Sequence, residues 1–209
     1  MTDINSPPTP EITPQIAPER LTGILEFFQA AAQLKDTIRS GFTGQGRPES
    51  TAEHSWRLAL MVLLFEQDLG DVDVLKLLKL CLIHDLGEVL SGDVPAPQQR
   101  PDDDRQARER RDFQTLCEPL PEDLSTELLA IWDEYSEAKT QEARYAKAFD
   151  KLETIFQHLL MPPPSAGFYR FNLTYGRDRT DVTPLTRQIR AVADAGTRAV
   201  MRSFGREPA

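Results

Sequence analysis

Histidine and cysteine are scarce in this chain of 209 residues, with three of the first and two of the second. Two thiols cannot build a disulfide framework, and Cys81 lies inside the apolar run LKLCLIH, where it reads as core. A reducing, cytoplasmic setting is therefore expected. No stretch reaches the roughly 18 apolar residues of a membrane span. The N-terminus has no basic patch followed by an apolar segment, which argues against a secretory signal. Basic charge is also short: 24 Lys and Arg stand against 33 Asp and Glu, a formal charge of −9. That balance disfavours a nucleic-acid polymer as partner. A small phosphate ligand stays open, because one or two arginines and a metal can reverse the field locally. No run shows convincing strand alternation, and no internal repeat is visible.

What the chain does have is helical periodicity. Residues 1–18 are rich in Pro and Thr and read as a disordered tail, with a single domain over 19–205. A first helix is expected from Pro18 to Ile38, with Leu21, Ile24, Leu25, Phe28 and Leu34 on its apolar side. Gly41, Gly44, Gly46 and Pro48 then make a loop. Ser50 and Glu53 form a capping-box pattern, so a second helix starts at Ser50 or Thr51. A third is expected over Asp73–Asp85. The charged stretch from Gln98 to Arg111 reads as solvated at its start. Further helices follow from Pro121, over Gln141–Leu160 (stopped by Pro162–Pro164) and over Pro184–Phe204. An all-α bundle is the expected fold.

Four residues then stand out: His54 near the start of the second helix, the pair His84-Asp85 at the end of the third, and Asp150 in RYAKAFDKLETIFQ. A lone His near a helix start is more often a surface or capping residue. Asp85 at a helix C-terminus opposes the helix dipole, and a nearby cation would explain it. Asp150 could pair with Lys147 or Lys151 on an exposed face, but its neighbours Phe149, Leu152 and Phe156 have core spacing, and a buried carboxylate needs a partner. Two imidazoles and two carboxylates on facing helices suit one divalent transition ion, Mn, Co, Fe, Ni or Zn.

The order H…HD…D, within PESTAEHSWRLALMVLLF and LKLCLIHDLGEVLSGDVP, resembles the HD-domain metal phosphohydrolases. The likeness runs from about Leu25 to Leu160, leaving 161–205 as a C-terminal loop and helix. It is greatest to the 5′-deoxynucleotidases, which act on nucleoside monophosphates. The resemblance implies an HD-domain bundle with a mononuclear site held by His54, His84, Asp85 and Asp150, and hydrolysis of a phosphate monoester by metal-activated water. It implies a general acid or base at Glu88, a substrate-side carboxylate at Asp93, and phosphate orientation by Arg39 at the end of the first helix. Glu88 would share a face with His84 if the helix persists. The bacterial members carry Trp after that arginine and this chain has Ser40, so Phe42 becomes the candidate stacking surface. His158 matches no motif position and reads as structural. The resemblance also implies a homodimer; Phe168 to Phe204 is plausible interface material and could equally cap the monomer core. Alternatives are hydrolysis of a non-nucleotide phosphate ester and a non-catalytic metal-binding domain. A two-iron oxidase is disfavoured, because no histidine lies between His84 and Asp150.

Overall fold

The computed structural model describes residues 16–100, 103–161 and 165–204. Most of the Pro-rich tail and the Pro162–Pro164 stop lie outside the described residues.

The elements run α1 (Pro18–Ala31), β1 (Ile38–Phe42), β2 (Pro48–Ser50), α2 (Thr51–Leu64), α3 (Val74–Ile83), α4 (Glu88–Ser91), α5 (Arg105–Cys117), α6 (Glu122–Glu137), α7 (Gln141–Leu160), α8 (Ala166–Asn172), α9 (Arg177–Thr180) and α10 (Pro184–Ser203). Among the described residues the fold is all-α apart from one small hairpin. Its axis is α7, which packs against α2, α3, α6, α9, α10 and β1. Leu58, Val62, Leu77, Leu80, Cys81, Phe113, Phe149 and Leu152 are fully buried around it. Both cysteines are free and buried, and burial pushes the Cys117 thiol up to about 11. Among the described residues no helix is long and apolar enough to cross a membrane.

Helix starts match their caps. Ser50 accepts from the Glu53 N–H, and Glu53 returns the bond to the Ser50 N–H. Thr183 caps α10 with the same reciprocal pair, and the Asp73 and Thr140 side chains accept from the Lys76 and Ala143 N–H to cap α3 and α7. An uncompensated N-terminus would leave backbone donors orphaned, and such caps contribute about 1 kcal/mol each.

Three expectations fail. The first helix stops at Ala31 and passes through a 3-10 turn over Ala32–Lys35. Of its expected apolar side only Leu34 is buried; Leu21, Leu25 and Phe28 are exposed, Phe28 to 73%. Secondly, residues expected to form a loop make an antiparallel hairpin, with Ile38 opposite Ser50 and Phe42 opposite Pro48. Arg39 is therefore on a strand. No alternation signals this hairpin because tertiary contacts hold it: the Gln157 side chain donates to the Phe42 carbonyl at 2.7 Å, and Thr51 N–H donates to the Thr37 carbonyl at 2.8 Å. Thirdly, the stretch before the last helix, expected as a loop, carries the helices α8 and α9. The helix carrying His84 stops close to its expected limit at Asp85 and does not persist to Glu88. It ends at Ile83 and the chain turns through Asp85–Gly87 before α4. Gly87 permits this turn, since a Cβ there would come within 2.7 Å of the Glu109 carbonyl oxygen on α5. Gly92, at φ +80°, then swings the chain out of α4 toward Asp93.

Candidate metal centre

His54 lies in the first turn of α2, fixed there by the Ser50–Glu53 cap, and is fully buried. Its Nδ1 meets Glu153 Oε2 at 2.5 Å, and Arg57 holds the other Glu153 oxygen at 2.9 Å. His84 caps the C-terminus of α3, and its Nδ1 donates to the Cys81 carbonyl at 2.9 Å. With protons engaged at both Nδ1 atoms, each Nε2 is left as the lone-pair nitrogen. Both Nε2 atoms are buried and neither has a hydrogen-bond partner.

These two orphaned nitrogens face carboxylates. His54 Nε2 lies 3.4 Å from Asp150 Oδ1 and 3.9 Å from Asp85 Oδ2, and His84 Nε2 lies 3.0 Å from Asp85 Oδ1. Donor atoms around a single ion with bonds of about 2.1 Å stand roughly 3–4 Å apart. His54, His84 and Asp85 offer ligand atoms all within 4.8 Å of one another. Asp150 borders this trio, with its Oδ1 toward His54 Nε2 and its Oδ2 occupied: Tyr135 donates to it at 2.8 Å and Lys151 at 2.9 Å. The donor set and its spacing fit a divalent cation. Outer partners on each imidazole and on Asp150 are the arrangement that orients metal ligands.

The charges agree. Burial and Arg39 push the His54 imidazole down, but Glu153 and Asp150 outweigh them and lift it to about 9. Without an ion the carboxylates around Nε2 thus favour a second proton there, and a cation would take that proton's place and leave Nε2 as the lone-pair donor. Asp85 and Asp150 resist protonation in spite of burial, Asp85 chiefly through His84 and Arg39, Asp150 chiefly through Lys151 and His54. Glu88 behaves oppositely. Burial, then Asp85 and Asp93, push it up to about 10, and its Oε2 has no partner. Asp93 is also raised, mainly by burial.

A cavity of about 520 Å³ opens onto this cluster. Arg39, Ser40, His84, Asp85, Glu88, Asp93 and Asp150 all line it. Arg39 contacts Asp85 Oδ2 and Thr154 Oγ1, each at 3.2 Å. A largely apolar groove of about 570 Å³ between α2 and α10 lies behind this cluster, on the far side of Glu153 and Arg57, and none of the four candidate ligands lines it. Phe42 is not brought to the cavity; its ring is 39% exposed on β1. His158, read as structural, does line the cavity, while its Nδ1 is held by Asn172 at 2.8 Å.

The sequence reading missed the partners. Glu153 follows Asp150 by three residues, a spacing that puts both on one face of α7 and could have revealed it. Lys147 and Lys151, expected as surface partners of Asp150, both line the cavity. Burial and the neighbouring Lys151 lower Lys147 to about 8, and its Nζ sits 3.7 Å over the Tyr135 ring. Tyr135, Phe168, Phe171, Tyr175 and Arg179 carried no motif and reach the cavity only through folding.

A helical bundle that converges two imidazoles and two carboxylates from α2, the end of α3 and α7 belongs to the class of metal-centred helical domains. Similarity to known proteins narrows the class. The HD domain family profile matches residues 31–190, and the chain belongs to that family. The mouse (Mus musculus) protein named 5′-deoxynucleotidase HDDC2 is 32% identical over 137 residues, covering 65% of this chain and 68% of its own length. The Dictyostelium discoideum protein of the same name is 32% identical over 145 residues, covering 66% of this chain and 76% of its own. Among solved structures, one described as a predicted metal-dependent phosphohydrolase, from Magnetospirillum magnetotacticum, superposes with a TM-score of 0.77. It is 26% identical, over 91% of this chain and 97% of its own.

Proposed function

We propose that the protein is a metal-dependent phosphohydrolase that removes the 5′-phosphate from nucleoside and deoxynucleoside monophosphates. The names of its relatives support the substrate class. The observation that carries the reading is the pair of orphaned Nε2 atoms facing Asp85 and Asp150 in a cavity shared with Arg39 and Glu88.

His54, His84, Asp85 and Asp150 would hold the ion, and the mixed nitrogen and oxygen set suits Mn, Co, Fe, Ni or Zn. When bound, such an ion polarises a phosphoryl oxygen and makes water acidic enough to serve as nucleophile near neutral pH. Arg39 presents its guanidinium fork to the phosphate, and Lys147 and Lys151 add positive charge to the same wall. The reaction adds water across the P–O5′ bond: oxygen from water joins phosphorus, and the departing 5′-oxygen needs a proton. Glu88, kept protonated by burial and by Asp85, supplies it. Asp93, on the loop beyond α4, faces the substrate side and takes up the proton released by water. A homodimer working in the cytoplasm belongs to the same reading. Its contact is better placed on α1 and α2 than on 168–204: exposed Leu21, Leu25, Phe28, Trp56, Leu60, Leu63 and Leu64 lie there, against Val192 and Phe204 in the C-terminal stretch.

The test is phosphate release from ribo- and deoxynucleoside 5′-monophosphates by chelator-stripped protein with and without added Mn, Co or Zn. Metal-dependent release that Asp85→Ala abolishes supports the reading. Silence across the panel with metal bound points to a non-nucleotide ester or a binding role.

A further inference from the structure

We propose that α8 and the turn after it form a stacking platform for the flat base of the leaving nucleoside, made of Phe168, Phe171 and Tyr175. This rests on the nucleotide reading of the same cavity and names the part of the protein that grips what the phosphate leaves behind.

The three rings line the cavity together with His84, Asp85 and Asp150. Their spacing, i, i+3 and i+7, puts them on one helical face. The helical path continues past Asn172, because the Tyr175 N–H donates to the Phe171 carbonyl at 2.9 Å. The adjacent face is pinned. Tyr169 is fully buried and donates to the His158 carbonyl at 2.8 Å; Asn172 holds His158 Nδ1 through its side chain and accepts from Arg190 at its carbonyl, each at 2.8 Å. The platform is therefore rigid from behind, while its front rings remain half-buried. Those rings already pack on one another, Phe171 on Tyr175 at 5.1 Å between centroids and Phe168 edge-on to His158 at 4.8 Å. A large ring left half in water gains from a flat apolar partner, and paired aromatic faces attract beyond the area they bury.

The platform also lies at the right end of the cavity. Lys151 Nζ sits 2.9 Å from Asp150 Oδ2 and 5.4 Å from the Tyr175 ring centroid, so the rings begin one side chain away from a candidate metal ligand. A phosphate at the metal pole would project its 5′-substituent along that wall. Other aromatic residues cannot serve. Trp132 is buried with its indole N–H on the His84 carbonyl, Tyr135 is spent on Asp150, Phe42 lies outside the cavity, and Ser40 has no ring. At about 520 Å³ the cavity falls within the roughly 300–1,000 Å³ of small-molecule sites, with room for a base beyond the phosphate.

The experiment uses the metal-loaded full chain and two probes that are not turned over, 2′-deoxyadenosine and inorganic phosphate. Calorimetric titration compares the parent with Phe171→Leu and Phe168→Leu, which keep apolar volume but remove the ring. The expected result is deoxyadenosine binding weakened about tenfold in each variant, with phosphate binding unchanged. The proposal is overturned if the parent fails to bind the nucleoside at millimolar concentration, if the variants bind it as well as the parent does, or if both probes weaken together. Failure of the hydrolase reading shows separately, as absent phosphate release while nucleoside binding still depends on the two rings.

Discussion

The two walls of the cavity are built by different physics. On the wall formed by α2, the end of α3 and α7, each metal-facing side chain has its far atom fixed by a directional bond: Glu153 on His54, the Cys81 carbonyl on His84, Tyr135 and Lys151 on Asp150. On the wall formed by α8 and the following turn, the cavity-facing rings are placed by packing, and the directional bonds lie behind them. The first arrangement fixes atoms to tenths of an ångström, which metal coordination and proton transfer demand. The second fixes a surface, enough to hold a planar group without reading its edge. Chemistry should therefore fail sharply when the first wall is altered, and selectivity gradually when the second is.

The largest effect belongs to the ligands. His84→Ala or Asp85→Ala should lower kcat about a thousandfold or more, as expected when several kcal/mol of charge stabilisation disappear, and metal content should fall in parallel. A phosphate-release assay beside elemental analysis checks this. Next is Glu88→Gln, expected to cut kcat about 10²–10⁴-fold with metal retained, as for loss of a general acid. Sign matters here. Glu88 donates only while protonated, so activity falls as pH rises through its raised pKa, about 10. A bound cation nearby pulls that value down, so the alkaline limb should appear at or below about pH 10 and vanish from what activity Glu88→Gln keeps. Glu153→Gln should weaken metal affinity about 10–100-fold while the bound fraction stays active, since Glu153 acts through His54. Competition with a calibrated chelator measures it.

The smallest effect lies behind the first wall. Burial, then Glu153, lift Glu49 to about 7. With its folded-state pKa above the usual carboxylate value, its contribution is fully present below about pH 4.5 and is lost as pH rises through about 7. Glu49→Gln should therefore match the parent at pH 4 and exceed it by about 1–3 kcal/mol at pH 8. Denaturant unfolding at both pH values decides.

The same contrast explains what the sequence disclosed. His54, His84, Asp85, Glu88 and Asp93 stood out because a helix cap and a dense local motif carry them, and Asp150 because of the apolar spacing around it; the fold places His54, His84 and Asp85 within ligand distance of one another and Asp150 beside His54. Arg39 was legible as a residue but not as a strand residue, because the hairpin is held by Gln157 and Thr37 from outside its own pattern. The apolar side of α1 was misread because amphipathic spacing shows that a face exists, not that anything covers it. Phe42 was chosen for nearness in sequence to Arg39, whereas the rings that line the cavity come from more than 120 positions further along the chain. Long-range packing of that kind leaves no local signature.

The most direct test of the central claim is metal stoichiometry coupled to turnover. Chelator-stripped protein is titrated with Mn or Co while bound metal and phosphate released from a deoxynucleoside 5′-monophosphate are followed together. The account predicts one equivalent per chain, release rising in step with occupancy, and both lost in His84→Ala. Release that persists in the stripped protein, or one equivalent still bound by His84→Ala and Asp85→Ala, would contradict it.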